Sequence, residues 1–93
     1  MYFILSYQTV PGFIEKRQVY RAKHLAHVTA AVDRGELLLG GAISDEAGGA
    51  LMVFQVEDPV EVETFAHADP YVQSGLITKW EVRPWAVVVG SKM

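Results

Sequence analysis

The sequence contains no cysteine, which excludes disulfide bonds, thiolate metal sites and cysteine nucleophiles. Neither sign of charge is in large excess, since 8 Lys and Arg residues and 11 Asp and Glu residues give a net charge of −3. No run of basic residues marks a face for nucleic acid, so we expect no nucleic-acid partner. Hydrophobic residues are abundant. They make up 51% of the sequence, at the top of the range of ordinary globular domains.

Long apolar runs are missing as well. None approaches the roughly 20 residues that a membrane span needs, and residues 1–7 are too short an apolar stretch, without a basic start, for a signal peptide. We therefore expect a soluble, cytoplasmic protein with no membrane partner. The length of 93 residues favours one domain over residues 1–93. Because no glycine-rich phosphate loop and no metal-ligand spacing is present, no cofactor is expected.

The hydrophobic periodicity predicts the order β-α-β-β-α-β. Strands are predicted at residues 2–8, 36–43, 50–56 and 77–89, helices at residues 15–34 and 58–68, one further helical turn at residues 69–75, and a hairpin loop at residues 44–49. This order is that of a ferredoxin-like α+β fold, with a four-stranded antiparallel sheet and two helices on one of its faces.

Local signals support these elements. Gly35 follows the first helical pattern at the position of a C-terminal cap. Residues 58–61 read Asp-Pro-Val-Glu, which predicts a helix start with a capping box and a proline at the first helical position. Gly40 and Gly41 interrupt the second strand, where paired glycines indicate a bulge or a close approach to the backbone.

The predicted strands are apolar on both faces. Residues 2–5, 37–39 and 51–54 carry hydrophobic side chains at consecutive positions, whereas a sheet with one face in water alternates apolar and polar residues. Two helices cover one face only, and the chain has no spare segment for the other. We therefore predict a homodimer in which the two sheets pack against each other.

Few side chains are suited to chemistry. The candidates are the tyrosines, Asp69, His24, His27 and His67. His24 lies beside the apolar stripe of the first helix, about 60° around the helix from Arg21. An imidazole has an unperturbed pKa near 6.5 and exchanges protons near neutral pH. If Asp69 accepts the proton of one ring nitrogen, the other nitrogen becomes an oriented base.

Each of these residues also has a purely structural interpretation. Asp69 precedes a proline just as Asp58 does, and an Asp-Pro pair is a common helix cap. His24 suits a hydrogen-bonded structural residue as well as a base, and Arg21 suits a solvated or salt-bridged position on the helix surface. On the residues alone these alternatives stay open.

The remaining candidates have weaker signals. His27 is three positions from His24, so a metal pair is geometrically possible, but no carboxylate is placed to complete a site and no metal is expected. His67 ends the second predicted helix, where an imidazole stabilises the helix terminus. Trp80 and Trp85 are most simply core or interface residues.

The sequence resembles the YCII-related (YciI-like) family over essentially its whole length. The resemblance is carried by Glu15-Lys16-Arg17, Arg21-Ala22-Lys23-His24-Leu25, Gly40-Gly41, Asp69-Pro70-Tyr71, Gly75, Pro84 and Trp85. It implies a dimeric α+β barrel built from ferredoxin-like subunits, and a small pocket with a His–Asp pair that falls on His24 and Asp69. It further implies lyase or isomerase chemistry on a small molecule, since relatives of the same fold include muconolactone isomerases and cofactor-less monooxygenases.

Two features depart from the pattern of the family. Many relatives carry a proline after the glycine of the second strand, where this chain has Ala42, and many have a longer loop than residues 44–49. Both positions border the expected pocket, so the substrate of any relative is not transferred to this chain.

Two classes of function follow. The first is a cofactor-free lyase or isomerase in which His24, oriented by Asp69, acts as the acid or base on a small organic molecule. Arg21 would then hold an anionic group of the substrate, and Tyr7 or Tyr71 would contribute a phenol. The alternative is a non-catalytic module that binds a small metabolite in the same pocket; a purely structural dimer would leave that pocket filled by side chains.

Overall fold

A single antiparallel sheet of four strands forms the base of the fold. The computed structural model describes residues 1–45 and 48–90. The strands lie in the order β2-β3-β1-β4, with bounds β1 Tyr2–Thr9, β2 Leu37–Ala42, β3 Ala50–Gln55 and β4 Ile77–Trp85. Every neighbouring pair is antiparallel. The predicted ferredoxin-like α+β class is confirmed.

Helices cover one face of this sheet. They are α1 Phe13–Lys16, α2 Arg21–Asp33, α3 Pro59–Ala68 and α4 Pro70–Gln73, with a 3-10 turn at Arg17–Val19 between the first two. Helix side chains such as Ala31 and Phe65 form one core with Phe3, Leu5 and Tyr7 of the central strand. Within the described ranges, no helix is long and apolar enough to cross a membrane.

The prediction of one uninterrupted helix over residues 15–34 is wrong. The chain breaks at Tyr20, which has φ −104° and ψ −4° and precedes α2 without a side-chain cap. In a continuous helix, Phe13 would point about 120° away from Leu25. The break reorients the first turn, so that Phe13 is buried at 9% exposure.

The face that α2 turns to the sheet also differs from the expected stripe. Leu25 and Val32 are 44% and 48% exposed, whereas Ala31 is fully buried. The inward face is therefore centred on His24 and Ala31 rather than on Leu25. Leu25 and Val32 instead line a cavity beside the sheet, which explains apolar side chains that are not part of the core.

Strand β2 carries an irregularity at a different position from the one expected. Its register against β3 shifts between Leu37 and Leu39, so the bulge precedes the glycine pair. Gly40 instead allows the side chain of Met52 to pack close to the backbone, because a Cβ atom at this position would lie 2.7 Å from Cγ of Met52. Of the hairpin loop predicted at residues 44–49, positions 46 and 47 lie outside the described residues.

The caps of the two longer helices are confirmed. Gly35 has φ +77°, and the N–H groups of Gly35 and Glu36 bond to the carbonyls of Val32 and Ala31 as in a Schellman cap. Helix α3 begins at Pro59 after a complete capping box. The last strand ends at Trp85 rather than at residue 89.

Candidate functional site

A cavity of about 500 Å³ lies between α2 and strands β2 and β3. Its volume is within the range of small-molecule sites in proteins. Aliphatic side chains of α2, β2 and β3 form most of its wall, and the polar and aromatic groups in it are Tyr7, Phe13, Arg17, Arg21, His24 and Tyr71. The wall therefore combines an apolar surface with a few polar groups, as expected of a site that binds a small molecule.

Asp69 lies behind the histidine of this cavity and is completely buried. Its Oδ1 atom is 2.8 Å from Nδ1 of His24 and accepts the N–H of Tyr71 at 3.0 Å. Its Oδ2 atom accepts the hydroxyl of Tyr7 at 2.6 Å. One carboxylate thus joins β1, α2 and the start of α4, and its role as helix cap and its contact with His24 coexist.

These hydrogen bonds keep the carboxyl group ionised. Burial by itself would raise the pKa of Asp69, but the hydrogen bonds from His24, Tyr7 and the Tyr71 N–H, together with the charge that His24 carries when protonated, hold it below its usual value. Burial is also the main reason that the pKa of Tyr7 is strongly raised, and the negative charge of Asp69 and the hydrogen bond to it add to that effect. The pair is therefore a carboxylate bonded by a neutral phenol.

The charge of Asp69 fixes the protonation pattern of the imidazole. An ionised carboxylate only accepts hydrogen bonds, so Nδ1 of His24 carries the proton and donates it. In the neutral ring, Nε2 is then the basic nitrogen. The His24 side chain is 14% exposed, and it forms part of the cavity wall.

Aromatic contacts fix the plane of the imidazole. The ring of His24 stacks on Tyr71 with 3.7 Å between centroids and 9° between planes. Phe13 meets the same tyrosine edge to face at 5.3 Å. One hydrogen bond to Oδ1 of Asp69 and one aromatic plane against the ring leave His24 little freedom, which is the condition for an oriented base.

The other histidines lie elsewhere. Nε2 of His27 is 2.8 Å from the carbonyl oxygen of Phe65, and its ring stacks on that phenylalanine at 4.3 Å, so it does not converge with His24. His67 packs edge to face against Trp80 at 5.1 Å. Within the described ranges, no group of three or more His, Asp and Glu side chains is placed to hold a metal ion.

The predicted site residues are brought together, with one difference in geometry. His24, Asp69, Arg21, Tyr7 and Tyr71 meet at or directly behind the cavity, but the hydroxyl of Tyr7 is occupied by Asp69. A direct contact of that hydroxyl with substrate stays a prediction, and its observed position is that of a group that orients the carboxylate.

Two aromatic or charged residues of the cavity wall, Phe13 and Arg17, were not among the predicted site residues, although Arg17 belongs to the Glu15-Lys16-Arg17 stretch that carries the resemblance. Arg17 precedes Arg21 by four positions, a helical spacing that was an available signal. This spacing places Arg17 beside Arg21 on one helix surface, but it does not by itself show that this surface borders a cavity, and Phe13 lies outside the predicted helix.

Comparisons with known proteins agree with this fold. The family model of the YCII-related domain matches residues 1–86. An uncharacterised protein from Haemophilus influenzae is 33% identical over 97 residues, which covers 95% of this chain and 99% of the relative. Protein YciI from Escherichia coli is 29% identical, with the same coverage.

A solved structure is similar at the level of the fold. It is 5-chloro-2-hydroxyhydroquinone dehydrochlorinase from Burkholderia phenoliruptrix AC1100, in complex with 2,5-dihydroxybenzoquinone. The TM-score is 0.77 at 24% sequence identity, over 92% of this chain and 94% of the other.

Proposed function

We propose that this chain, which belongs to the family of YCII-related domains, is a small cofactor-independent enzyme that uses His24 as a general base in an elimination or isomerisation. The observation that supports the proposal is the 2.8 Å contact between Nδ1 of His24 and the buried carboxylate of Asp69 at the wall of a cavity. General acid–base catalysis of this kind contributes about 10²–10⁴-fold to a rate.

In the proposed step, Nε2 of His24 removes a proton from a carbon atom next to a carbonyl or enol group. The electron pair of the broken C–H bond forms a new C=C bond. In an elimination, the leaving group on the adjacent carbon departs with its own bonding pair. In an isomerisation of an unsaturated carbonyl compound, the C=O π pair moves to oxygen to give a dienolate; the C=O bond then re-forms, and the distal C=C pair takes the proton back from the imidazolium at a different carbon. Asp69 stabilises the imidazolium that forms, and Tyr7 keeps Asp69 in place.

The similar structure suggests a chemical class in which to begin. Its name describes the loss of HCl from a chlorinated hydroxyhydroquinone, and its bound molecule is a hydroxyquinone. Both are small, planar and oxygenated, and they fit a cavity of about 500 Å³. In this proposal Arg21 binds an anionic oxygen of the molecule. The ring of Tyr71 stacks on His24 and keeps the imidazole in place.

Turnover is the test of this function. 5-Chloro-2-hydroxyhydroquinone is incubated with the protein, and chloride release is measured beside the spontaneous reaction. We expect His24→Ala to lose 10²-fold or more of the catalysed rate. His27→Gln is the matched control, because this histidine is on the same helix and its nitrogen bonds to Phe65 outside the cavity. Saturable binding of 2,5-dihydroxybenzoquinone without turnover of any substrate would favour the metabolite-binding alternative.

We also propose that two copies of the chain pack sheet to sheet. On the face of the sheet away from the helices, Ile4, Val53 and Leu39 lie side by side in the strand register, and Leu51 is two positions along β3, opposite Ser6 and Gly41. Leu39 is 65% exposed and Leu51 is 43% exposed. Among the strand residues that the structure describes, the charged side chains on this face are those of β4, at one edge of the sheet, as expected for the rim of an interface.

A further inference from the structure

Two donors in the cavity wall lack a hydrogen-bond partner within the described part of the chain. They are Nε of Arg17 and the hydroxyl of Tyr71, and both atoms are buried. The Tyr71 residue is only 3% exposed. Since buried polar groups nearly always have a partner, two such donors on one cavity wall point to a ligand that supplies acceptors.

The charge of the wall indicates the kind of acceptor. Arg17 and Arg21 both line the cavity, and no Asp or Glu side chain does. Neither arginine forms an ion pair with any residue in positions 1–45 or 48–90. Asp69 is completely buried, and its two oxygens already accept from His24, Tyr7 and Tyr71. The wall therefore carries two guanidinium groups against the one carboxylate behind it, while Glu15 and Asp45 belong to an adjoining cavity that Arg17 also borders.

Arg17 is also held in position. Its guanidinium carbon lies 5.6 Å from the centre of the Phe13 ring, at the distance of a cation–π contact. Phe13 in turn meets Tyr71 edge to face. A guanidinium fixed by a ring is preorganised, and its planar fork fits an oxyanion whose charge is spread over two oxygens.

We propose that Arg17, with Arg21 and the hydroxyl of Tyr71, forms an oxyanion-binding subsite that makes this chain selective for small organic acids. The selected group is a delocalised oxyanion, either a carboxylate or an ionised enol. The binding selectivity stands independently; its use in catalysis rests on the proposed function of His24. In that reaction, the subsite stabilises the negative charge that develops on the substrate oxygen when His24 takes the proton.

Binding of matched probes tests the subsite without any turnover. The first pair is 2,5-dihydroxybenzoquinone, an enolic acid that is ionised at neutral pH, and its dimethyl ether, which has no acidic hydroxyl. The second pair is benzoate and benzamide. The absence of cysteine removes thiol addition to the quinones as a complication. In one of the two pairs, we expect the wild-type chain to bind the acid at least tenfold more tightly than its neutral partner. A preference in the quinone pair identifies the bound group as an ionised enol, and a preference in the benzoate pair identifies it as a carboxylate.

Variants then assign the effect to Arg17. Arg17→Met should weaken binding of the preferred anion by about tenfold or more, as expected for loss of a charged hydrogen bond, and leave the neutral probe unchanged. Arg17→Lys keeps the charge without the planar fork, so its affinity for the preferred anion should lie between those of the wild type and Arg17→Met. Lys23→Met removes one positive charge from an exposed position of α2, outside the cavity, and should bind as the wild type does.

Tyr71→Phe keeps the ring against His24 and removes only the hydroxyl, so it supplies a second test if Arg17→Met fails to fold. Equal affinity of the wild type for acid and neutral probes, or equal loss of both in the Arg17 variants, overturns the subsite. Selective binding with no turnover of any substrate refutes the proposed function alone. Turnover that is unaffected in Arg17→Met refutes the role of the subsite in catalysis, and the probe pairs alone then decide the binding selectivity.

Discussion

His24 and Tyr7 donate to different oxygens of the same buried carboxylate. Nδ1 of His24 lies 2.8 Å from Oδ1 of Asp69, and the Tyr7 hydroxyl lies 2.6 Å from Oδ2. The histidine is on a helix and the tyrosine on the central strand, so Asp69 connects the two layers of the fold while it orients the imidazole. A group with both roles should affect stability and chemistry together, and the variants below are chosen to separate them.

Asp69→Asn should reveal the contribution of the carboxylate through pH. Because the folded-state pKa of Asp69 is lowered, its stabilising effect is present above the unfolded-state pKa of about 3.9 and is lost as the pH falls through the folded value. We expect the variant to be less stable at pH 7 by about 1–3 kcal/mol, and the difference to shrink below about pH 4. Urea unfolding at pH 7 and pH 3 measures both, with Asp58→Asn as the exposed helix-cap control. A difference that is constant with pH would contradict the ionised state.

Tyr7→Phe should lower the free energy of unfolding, and this loss should be largest at neutral pH. It leaves Oδ2 of Asp69 buried without its 2.6 Å donor, at a cost of about 1–3 kcal/mol. The raised pKa of Tyr7 means that the stability it contributes is complete below the unfolded-state pKa of about 10 and declines as the pH rises further. The stability difference between wild type and variant should therefore narrow in unfolding experiments from pH 8 to pH 11. Tyr2→Phe, on the same strand, is the control, and an unchanged difference at high pH would argue against the phenol–carboxylate pair.

Gly40→Ala should destabilise the chain although it adds one methyl group. The new Cβ would lie 2.7 Å from Cγ of Met52, and crowding of this kind costs about 1–3 kcal/mol. Gly41→Ala is the neighbouring control, since nothing lies within 4 Å of a Cβ at that position. Thermal unfolding of the two variants should separate them clearly. Similar melting temperatures would mean that Met52 moves aside at little cost.

Leu51→Lys should separate the two copies of the proposed dimer. The residue is 43% exposed on the face of the sheet away from the helices, and a buried lysine there would have no partner for its charge. We expect the wild type to sediment as a dimer at micromolar concentration and the variant as a monomer. Val60→Lys, on a helix and 58% exposed, should remain dimeric. A monomeric wild type would remove the proposal.

The sequence by itself determined the fold class and most of the helix caps. The order of elements, the capping box before α3 and the glycine cap after α2 are all local or periodic features, and the structure has each of them. The Asp-Pro pair at Asp69 likewise predicted the start of a further helical turn, which the structure has. These features depend on residues within a few positions of each other, so a single sequence is enough to predict them.

Tertiary structure decided what the local features do. Asp69 is 45 positions from His24 and 62 from Tyr7, and no local pattern states that the three side chains converge. The break at Tyr20 has the same origin, because burial of Phe13 against Tyr71 outweighs the continuity of a helix that the periodicity favoured. Phe13 in turn lies 5.6 Å from the guanidinium carbon of Arg17, and both side chains are part of the cavity wall. Packing across the chain, rather than helical spacing, thus determined which residues of the first helical segment belong to the site.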